Sequence, residues 1–404
     1  MTALLEAPSD ALRLLPQPPA TSLVDHLARF GPLPTHRGEL IGEAARAGLR
    51  GRGGANFPTA TKLTAVRHAA NASRRRAVVV ANGTEGEPAS DKDKTLLVFA
   101  PHLVLDGIVA AALAVGADEG VVCVDRAAVP ALHAIERARK ERHDPINVRV
   151  AATPDRYVAG EETALVNWLD GGEAKPTFTP PRPFEQGVGR RPTLVDNVET
   201  LAQLAVIARV GGGQWADAGM RLVTVGGACE RPGVYEVLTG TPLDAVLRIA
   251  RAHPPAGVLV GGYFGTWLTP AEAETARLDA SIVSVVGNGV CPLEELARVA
   301  GWLASQSAGQ CGPCALGLPA IASAVAHIAD TGDADGRART ATDRWTEMVK
   351  GRGACKLPDG AARFVETGLR VFAGHVAEHR AHGPCAAKGA PAVLPVPVPE
   401  ASWR

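Results

Sequence analysis

The run Ala77-Val78-Val79-Val80-Ala81-Asn82-Gly83-Thr84-Glu85-Gly86-Glu87-Pro88 is an apolar segment that passes directly into a polar turn. Its apolar half is short, rich in valine and bounded by turn residues, and this pattern predicts a buried strand. Residues 121–124 repeat the pattern after a helical segment over 103–116, and residues 148–150 form a shorter candidate. Strands that alternate with helices predict a parallel α/β sheet, which binds ligands just beyond its strand ends.

The polar turn after the first strand carries groups that can hold a ligand. Asn82 offers N–H donors and a carbonyl acceptor, and Glu85 and Glu87 offer acceptors for sugar hydroxyls or an amide. An acidic surface turn without a ligand explains the same residues equally well.

A glycine-rich segment precedes this strand, Leu49-Arg50-Gly51-Arg52-Gly53-Gly54-Ala55-Asn56-Phe57-Pro58-Thr59. Glycines placed this closely leave the backbone without Cβ atoms, so its N–H groups can approach a phosphate or a flat ring. Arg52 and Lys62, the latter where a helix can begin, add positive charge. Tight packing also uses such turns, so the segment favours ligand binding without requiring it.

Two later segments place polar side chains at predicted helix starts. Tyr157-Val158-Ala159-Gly160-Glu161-Glu162 puts two carboxylates where the helix dipole stabilises negative charge, although helix capping alone also accounts for them. In the segment 192–201, a turn is predicted to enter a helix, with Asn197 free to point at a ligand.

The seven cysteines indicate thiols or a metal site rather than a disulfide framework, because their number is odd and no secretory signal precedes them. Cys311 and Cys314 form a Cys-x-x-Cys pair, and Cys355 follows about forty residues later. Zinc or an iron–sulfur cluster would need a fourth ligand, for which Cys385 is a candidate. A redox disulfide would need only the pair.

Composition limits the class of protein. A chain of 404 residues with 46% hydrophobic residues and zero formal net charge predicts a soluble protein of two to four domains, without a nucleic-acid partner. The longest apolar stretch, Ile108–Val115, is too short to span a membrane, so a cytoplasmic protein without membrane insertion is expected. Residues 1–20 and 391–404 are proline-rich and predicted to be mobile.

Taken together and in this order, the motifs resemble the flavin-carrying, NADH-oxidising subunit of respiratory complex I and its relatives in NAD-linked hydrogenases and formate dehydrogenases. The likeness covers residues 25–379. It implies an α/β fold class with a Rossmann-like flavin domain, a small ubiquitin-like β-grasp domain and a C-terminal helical bundle. The expected divisions are a flexible N-terminus over 1–20, an FMN- and NADH-binding domain over 21–215, the β-grasp domain over 220–270, an iron–sulfur-type helical domain over 280–380 and a proline-rich tail over 388–404.

The resemblance also implies cofactors and their ligands. FMN would be held by Gly51, Arg52, Gly53, Gly54, Lys62, Asn82, Glu85, Tyr157, Gly160, Glu161, Glu162, Asn197 and Thr200. Glu87 and Phe57 would lie on the nicotinamide side of the flavin as catalytic residues. Hydride would pass from NADH to the flavin, and electrons would leave singly through a [4Fe–4S] cluster held by Cys311, Cys314 and Cys355.

Several positions depart from the family pattern. Ala308 stands where the first cluster cysteine belongs, which leaves a [3Fe–4S] cluster, a [4Fe–4S] cluster with an outside ligand, one completed by Cys385, or no cluster. Ala65 and Arg182 stand where aromatic rings stack on the NADH adenine, and each lost ring removes about 1 kcal/mol of stacking. Arg182 can itself stack, or meet a 2′-phosphate and favour NADPH. Three further positions differ: Asn56 replaces a glycine of the glycine-rich loop, Thr84 the aspartate of the acidic turn, and Asp196 the first asparagine of its segment.

The sequence therefore predicts an FMN-dependent NAD(P)H dehydrogenase. Its electrons would pass to a small iron–sulfur or ferredoxin-like protein, or to a reductase component in a membrane. Two alternatives stay open: a non-catalytic flavin- or nucleotide-binding scaffold that has lost its cluster, and a dehydrogenase that reduces a soluble acceptor directly.

Overall fold

Two β-sheets and a C-terminal group of helices make up the part of the chain that the computed structural model describes, residues 13–34 and 39–404. Residues 1–12 of the predicted mobile N-terminus lie outside the described residues.

The first sheet has four parallel strands in the order β3-β2-β1-β4. The strands are β1 (Ala77–Gly83), β2 (Ala117–Asp125), β3 (Asn147–Thr153) and β4 (Thr193–Asn197). Val79 and Val122 face one buried cluster, and Val78 and Val121 face another on the opposite side of the sheet. Both faces are covered, which explains the uninterrupted apolar runs and confirms the predicted parallel α/β sheet.

The helices of this region cover the two faces of the sheet. They are α1 (Leu23–Phe30), α2 (Leu40–Arg46), α3 (Thr59–Ser73), α4 (Lys92–Phe99), α5 (Pro101–Val115), α6 (Val129–Lys140), α7 (Glu162–Leu169), α8 (Val198–Val210) and α9 (Gly212–Ala218). Helices α5 and α8 pack closely because Gly107 has no Cβ, which would lie 2.0 Å from the Leu201 carbonyl oxygen.

The second sheet has five strands in the order β6-β5-β9-β7-β8. They are β5 (Met220–Gly227), β6 (Gly233–Leu238), β7 (Pro255–Val260), β8 (Thr266–Leu268) and β9 (Ile282–Gly287), accompanied by α10 (Leu243–Ile249) and α11 (Pro270–Thr275). Strands β5 and β9 pair in parallel at the centre, and the other pairs are antiparallel. The sheet thus extends past the predicted boundary at residue 270, because its central strand comes last in the chain.

The C-terminal helices pack around one shared hydrophobic core. They are α12 (Pro292–Ser305), α13 (Leu318–Thr331), α14 (Arg337–Val349), α15 (Leu357–Val371) and α16 (Ala373–His382). Within the described chain, the helical stretch Pro313–Thr331 is long and apolar enough to cross a membrane, and α4 with α5 would be if joined across their 97° bend. Ile321 and Val325 of the first stretch are buried against the neighbouring helices.

The described parts of the two ends, residues 13–20 and 391–404, contact the body of the protein, and their mobility stays a prediction. The backbone N–H groups of Leu14 and Leu15 donate to the buried Glu236 carboxylate. At the other end, the Trp302 indole donates to the Pro397 carbonyl at 2.9 Å. The proline-rich tail forms no helix, as expected, but it lies extended against the C-terminal helices.

Candidate functional site

The carboxyl ends of β1 and β4, with the segments that pack against them, form the candidate site, which is called the crevice below. The chain moves from β1 through β2 to β3 in one direction, whereas β4 lies on the other side of β1. This is a topological switch point, where open α/β sheets bind ligands. Asn82 and Asn197 are register partners at this end, so the first polar turn and the later Asp-Asn segment meet there.

The glycine-rich segment folds into a closed loop at this crevice. Arg50 and Pro58 form an isolated antiparallel bridge, and the Gly51 N–H donates to the Phe57 carbonyl at 2.8 Å. Gly54 has a φ of 96°, in the left-handed region that glycine tolerates. Phe57 is 49% exposed, so the loop presents an aromatic ring to solvent.

The loop lies directly over the start of α8. A Cβ at Gly53 would lie 3.4 Å from the Asn197 Cβ. The Arg52 N–H donates to the Thr200 hydroxyl at 2.8 Å, and its guanidinium Nε donates to Gln203 at 3.2 Å. These contacts place the backbone of the loop above β4.

Asp196 offers a buried acceptor that no residue uses. Its Oδ1 accepts the Asn197 N–H at 3.0 Å and lies 3.9 Å from a Cβ built on Gly51. Its Oδ2 is buried and has no hydrogen-bond partner among the described residues. Burial raises the pKa of Asp196, which the nearby Lys62 charge and Thr200 hydroxyl partly offset. Because buried polar atoms are nearly always paired, Oδ2 is available to a donor from a ligand or a water molecule.

A second close approach joins β1 to the 3₁₀ turn Tyr157–Gly160. The Asn82 side-chain amide donates to the Gly160 carbonyl at 2.8 Å, and the Thr84 hydroxyl donates to Asn82 Oδ1 at 2.8 Å. A Cβ on Gly160 would lie 2.4 Å from the Thr84 hydroxyl oxygen. Gly160 therefore allows the turn to sit against the end of β1.

Two cations share one carboxylate at the edge of the crevice. Glu162 lies 3.8 Å from the Lys62 ammonium and 3.8 Å from the Arg182 guanidinium. The Lys62 ammonium also donates to the Val195 carbonyl at the end of β4. Lys62 thus lies at the crevice, as predicted from its position, whereas Arg182 is 62% exposed at its rim.

The prediction that Asn197 is free to contact a ligand is wrong for its side chain. Its Nδ2 donates to the Asp93 carboxylate at 2.7 Å, and its Oδ1 accepts from the Glu199 N–H at 3.0 Å and from Lys92 at 3.2 Å. Asn197 caps α8 and is held by buried charges, so it positions the glycine loop.

Glu85 and Glu161 cap helices in the same way. Glu85 accepts the backbone N–H groups of Asp93 and Lys94 at 2.9 Å each, and burial raises the pKa of Glu85 to about 7. Glu161 accepts the N–H groups two and three residues further on, at 2.9 and 3.0 Å. The capping interpretation is thus correct for Glu161, and both carboxylates hold helix starts at the crevice.

Glu87 lies where the first domain meets the second sheet. Its Oε2 accepts from the Tyr157 hydroxyl at 3.1 Å and from the Tyr263 N–H at 2.9 Å, and burial raises the pKa of Glu87 to about 7. A Cβ on Gly262 would lie 2.7 Å from the Glu87 carboxyl carbon. Within the described chain, no hydrogen bond or ring contact joins Glu87 to Phe57.

A buried ionic network behind the crevice was missed by sequence analysis. The Lys92 ammonium lies 2.6 Å from Asp93 and 2.9 Å from Glu199, and all three side chains are buried. Glu199 also accepts from Gln203 at 3.0 Å. The sequence did contain a signal for this network. Lys92 and Asp93 are adjacent at the start of α4, which is otherwise mostly apolar, and charges buried there need partners.

The three predicted cluster ligands lie in the C-terminal region, close enough for Cys311 and Cys355 to affect the pKa of Cys314, but among the described residues their sulfurs do not all lie within 4.8 Å of one another. Cys311 and Cys314 flank the start of the π-helical turn Pro313–Gly317, and Cys355 precedes α15. Burial, with Cys311 and Cys355 as further causes, raises the pKa of Cys314 to about 12. Ala308 packs against the same core and supplies no ligand atom.

Cys385 does not complete this group, so its prediction as the fourth ligand is wrong. It lies with Cys291 and His379, their ligand atoms all within 4.8 Å of one another. Cys291 caps the start of α12, whereas Cys311 follows its end. Fourteen residues of helix separate the two groups, a length of about 21 Å.

The cysteine group adjoins the crevice. The Glu161 carboxylate is close enough to contribute to the raised pKa of Cys355, which burial dominates. The Tyr157 ring meets the Trp302 ring edge-on, with centroids 5.3 Å apart. The segment that caps α7 therefore packs on the end of α12, just before the cysteines.

Comparison with known proteins bears on this two-part arrangement. Residues 44–206 match the family profile described as the Nuo51 FMN-binding domain, and residues 294–379 match that of the NADH-ubiquinone oxidoreductase-F iron-sulfur binding region. The chain belongs to this NADH dehydrogenase family. The first match contains the whole crevice and the second contains the three cysteines, so the resemblance and the predicted enzyme class are confirmed.

Individual relatives agree with the assignment. An F-type component of the NADH-quinone oxidoreductase of Rhizobium meliloti is 27% identical over 381 residues, covering 85% of this chain and 90% of the relative. The alpha component of the NAD-reducing hydrogenase HoxS of Cupriavidus necator is 32% identical over 67% of this chain, which spans about half (48%) of that relative. Among solved structures, an NAD⁺-reducing [NiFe]-hydrogenase in the H₂-reduced state aligns with a TM-score of 0.79 at 29% identity, over 94% of this chain and 68% of that one.

Proposed function

We propose that the chain binds FMN in the crevice between β1 and β4 and oxidises NADH there. The observation that carries this proposal is the buried, partnerless Oδ2 of Asp196 beside a loop from which Cβ atoms are missing. A ligand with hydroxyl donors and a flat ring suits both features, because the hydroxyl satisfies the acceptor and the ring needs close backbone approach.

Each wall of the crevice has a separate task in this proposal. Lys62 supplies positive charge for an anionic ligand, and Asn82 and Gly160 hold the turn that closes one side. Glu87, oriented by Tyr157 and the Tyr263 N–H, presents a carboxyl group to the nicotinamide amide. The bound flavin would supply the conversion of a two-electron hydride into single electrons.

The three cysteine sulfurs suit an iron–sulfur cluster with an incomplete set of protein ligands. Cys311, Cys314 and Cys355 match a three-iron cluster, or a four-iron cluster whose fourth ligand comes from elsewhere. Cys355 lies near Glu161, which caps α7 at the crevice, so the cluster would be close to the flavin.

We also infer the identity of the other two domains, the electron acceptor and the nucleotide donor. The strand order of the second sheet, with a central parallel pair, is that of a ubiquitin-like β-grasp domain, and α12 to α16 form a helical bundle. The electron acceptor is a small iron–sulfur or ferredoxin-like protein, or a reductase component in a membrane, reached in the cytoplasm. NADH is the expected donor rather than NADPH, because the nearby Glu162 carboxylate partly neutralises Arg182.

Purification under anaerobic conditions tests the proposal. We expect a yellow protein with a flavin spectrum that NADH bleaches faster than NADPH, and Arg182→Ala should leave that preference unchanged. A colourless protein that takes up no added FMN would contradict it. Iron and sulfide analysis then tests the cluster, with Ala308→Cys expected to raise the iron content and Cys355→Ser to lower it.

A further inference from the structure

A second group of ligating side chains lies at the opposite end of α12 from the cluster cysteines. It comprises Cys291, His379 and Cys385, of which Cys291 and His379 are each only 1% exposed. Their ligand atoms all lie within 4.8 Å of one another. Neither family match accounts for Cys291 or Cys385, because both lie outside residues 294–379.

The spacing of the group suits a single metal ion. A zinc ion binds sulfur at about 2.3 Å and imidazole nitrogen at about 2.0–2.1 Å, so a tetrahedral angle puts these two atoms about 3.5–3.6 Å apart. The Cys291 sulfur lies 3.6 Å from His379 Nε2. One ion at this spacing can therefore contact both residues by taking the place of the Cys385 N–H, which donates to Nε2.

The imidazole is already in the form that binds a metal through Nε2. The Cys385 N–H donates to His379 Nε2 at 3.0 Å, so this nitrogen carries the lone pair and the ring proton lies on Nδ1. Nδ1 is buried and has no hydrogen-bond partner among the described residues, although the backbone carbonyls of Ile328 and Ala329 are close enough to affect the pKa of His379.

Cys291 is the N-cap of α12, and its side chain accepts no capping hydrogen bond. Burial raises the pKa of the Cys291 thiol to about 11. A divalent cation would supply the positive charge that a thiolate needs in such surroundings. Two thiolates with one divalent ion have no net charge, which suits a site this deeply buried. Lys388, whose charge also acts on His379, is paired with Asp330 at 2.8 Å.

We propose that Cys291, His379 and Cys385 hold one zinc ion, with a water molecule in the fourth position. Cys385 lies beyond α16, at the beginning of the proline-rich tail. The ion would thus tie that segment to the start of α12 and the end of α13, and the water would leave one coordination position open. The site is independent of flavin binding.

Metal analysis of the full-length protein tests the proposal. To remove zinc from the cluster cysteines, the measurement is made in a Cys311→Ser/Cys314→Ser/Cys355→Ser background, where we expect about one zinc per chain. Adding Cys291→Ser or Cys385→Ser should lower the zinc content at least about tenfold, whereas the matched control Cys229→Ser, a partly exposed thiol outside both groups, should not.

Cobalt titration of the triple-serine protein provides a readout that does not depend on further variants folding. One equivalent of Co²⁺ should produce thiolate-to-cobalt charge-transfer bands and the visible bands of tetrahedral cobalt, and Zn²⁺ should remove both. Absence of these bands would overturn the proposal, as would a mass two hydrogens lower that marks a Cys291–Cys385 disulfide in the anaerobic protein. Flavin content is measured alongside, so that failure of the zinc site is distinguished from failure of the flavin proposal.

Discussion

Substituting Gly160 by alanine should disrupt the crevice by steric overlap alone. Gly160 has no positive φ, so its backbone accepts alanine. The added Cβ would lie 2.4 Å from the Thr84 hydroxyl oxygen but 3.6 Å from the Thr84 Cβ. Only the hydroxyl is too close. Overpacking of this kind costs about 1–3 kcal/mol of unfolding free energy.

The same geometry predicts that a second substitution, at Thr84, restores stability to the Gly160→Ala protein. Thr84→Ala removes the overlapping oxygen and leaves the other contact at an ordinary distance. By itself it costs about 1 kcal/mol, because Asn82 Oδ1 loses a hydrogen bond. The double variant Gly160→Ala/Thr84→Ala should therefore be more stable than the sum of the single changes by about 1–2 kcal/mol.

Urea unfolding of the four proteins measures this coupling, and flavin fluorescence titration shows whether FMN affinity follows it. Gly213→Ala is a suitable control, because no atom lies within 4 Å of a Cβ at that position. Additive single effects, or a Gly160→Ala protein as stable as the parent, would refute the close approach of the 3₁₀ turn to β1.

Three further outcomes follow from the structure. Asp196→Asn, which keeps the Oδ1 acceptor for the Asn197 N–H, should weaken FMN binding about tenfold or more in a fluorescence titration while leaving the apo protein nearly as stable, because it replaces the free acceptor Oδ2 by a donor; unchanged affinity would contradict its role. Burial raises the pKa of Glu236 to about 7, so its protonated form favours folding and stability should fall as the pH rises from about 4.5 to 7. Glu236→Gln should flatten that slope in urea unfolding at pH 5 and pH 8, and an unchanged slope would assign it to other groups. Trp403→Ala should lower the unfolding free energy by about 1–2 kcal/mol, because the Arg156 guanidinium lies 4.0 Å from the Trp403 ring centroid, and Trp403→Phe should retain part of it in thermal unfolding. A fully stable Trp403→Ala protein would show that the contact between Trp403 and Arg156 contributes nothing.

Short sequence patterns predicted the elements that depend on neighbouring residues, and they did not predict those that depend on distant partners. The valine run of β1 was recognised because five apolar residues in succession have few other uses. The strand β4 was interpreted as a turn, since Thr193–Asn197 has only two strongly apolar residues and becomes a strand by pairing with β1. Likewise, proline content correctly excluded a helix from the tail, but the partners that hold it are distant in sequence.

The candidate site shows the same division. Residue types at the crevice were predicted from their motifs, but the occupation of Asn197 by Lys92 and Asp93 depends on residues about 105 positions away. The assignment of Cys385 failed because sequence spacing does not tell at which end of a helix a cysteine lies.

Helix α8 couples the flavin crevice to the second sheet, because its side chains form hydrogen bonds to both. On one side Thr200 and Gln203 hold Arg52 of the glycine loop. On the other, Gln203 donates to the Met220 carbonyl at 3.0 Å and Glu199 accepts the Leu222 N–H at 2.9 Å. A fragment that stops at the end of the family match, residue 206, would leave these buried groups unpaired. The crevice and the second sheet should therefore unfold as one cooperative unit. A chimeric protein that receives the flavin-binding domain would also have to include strand β5.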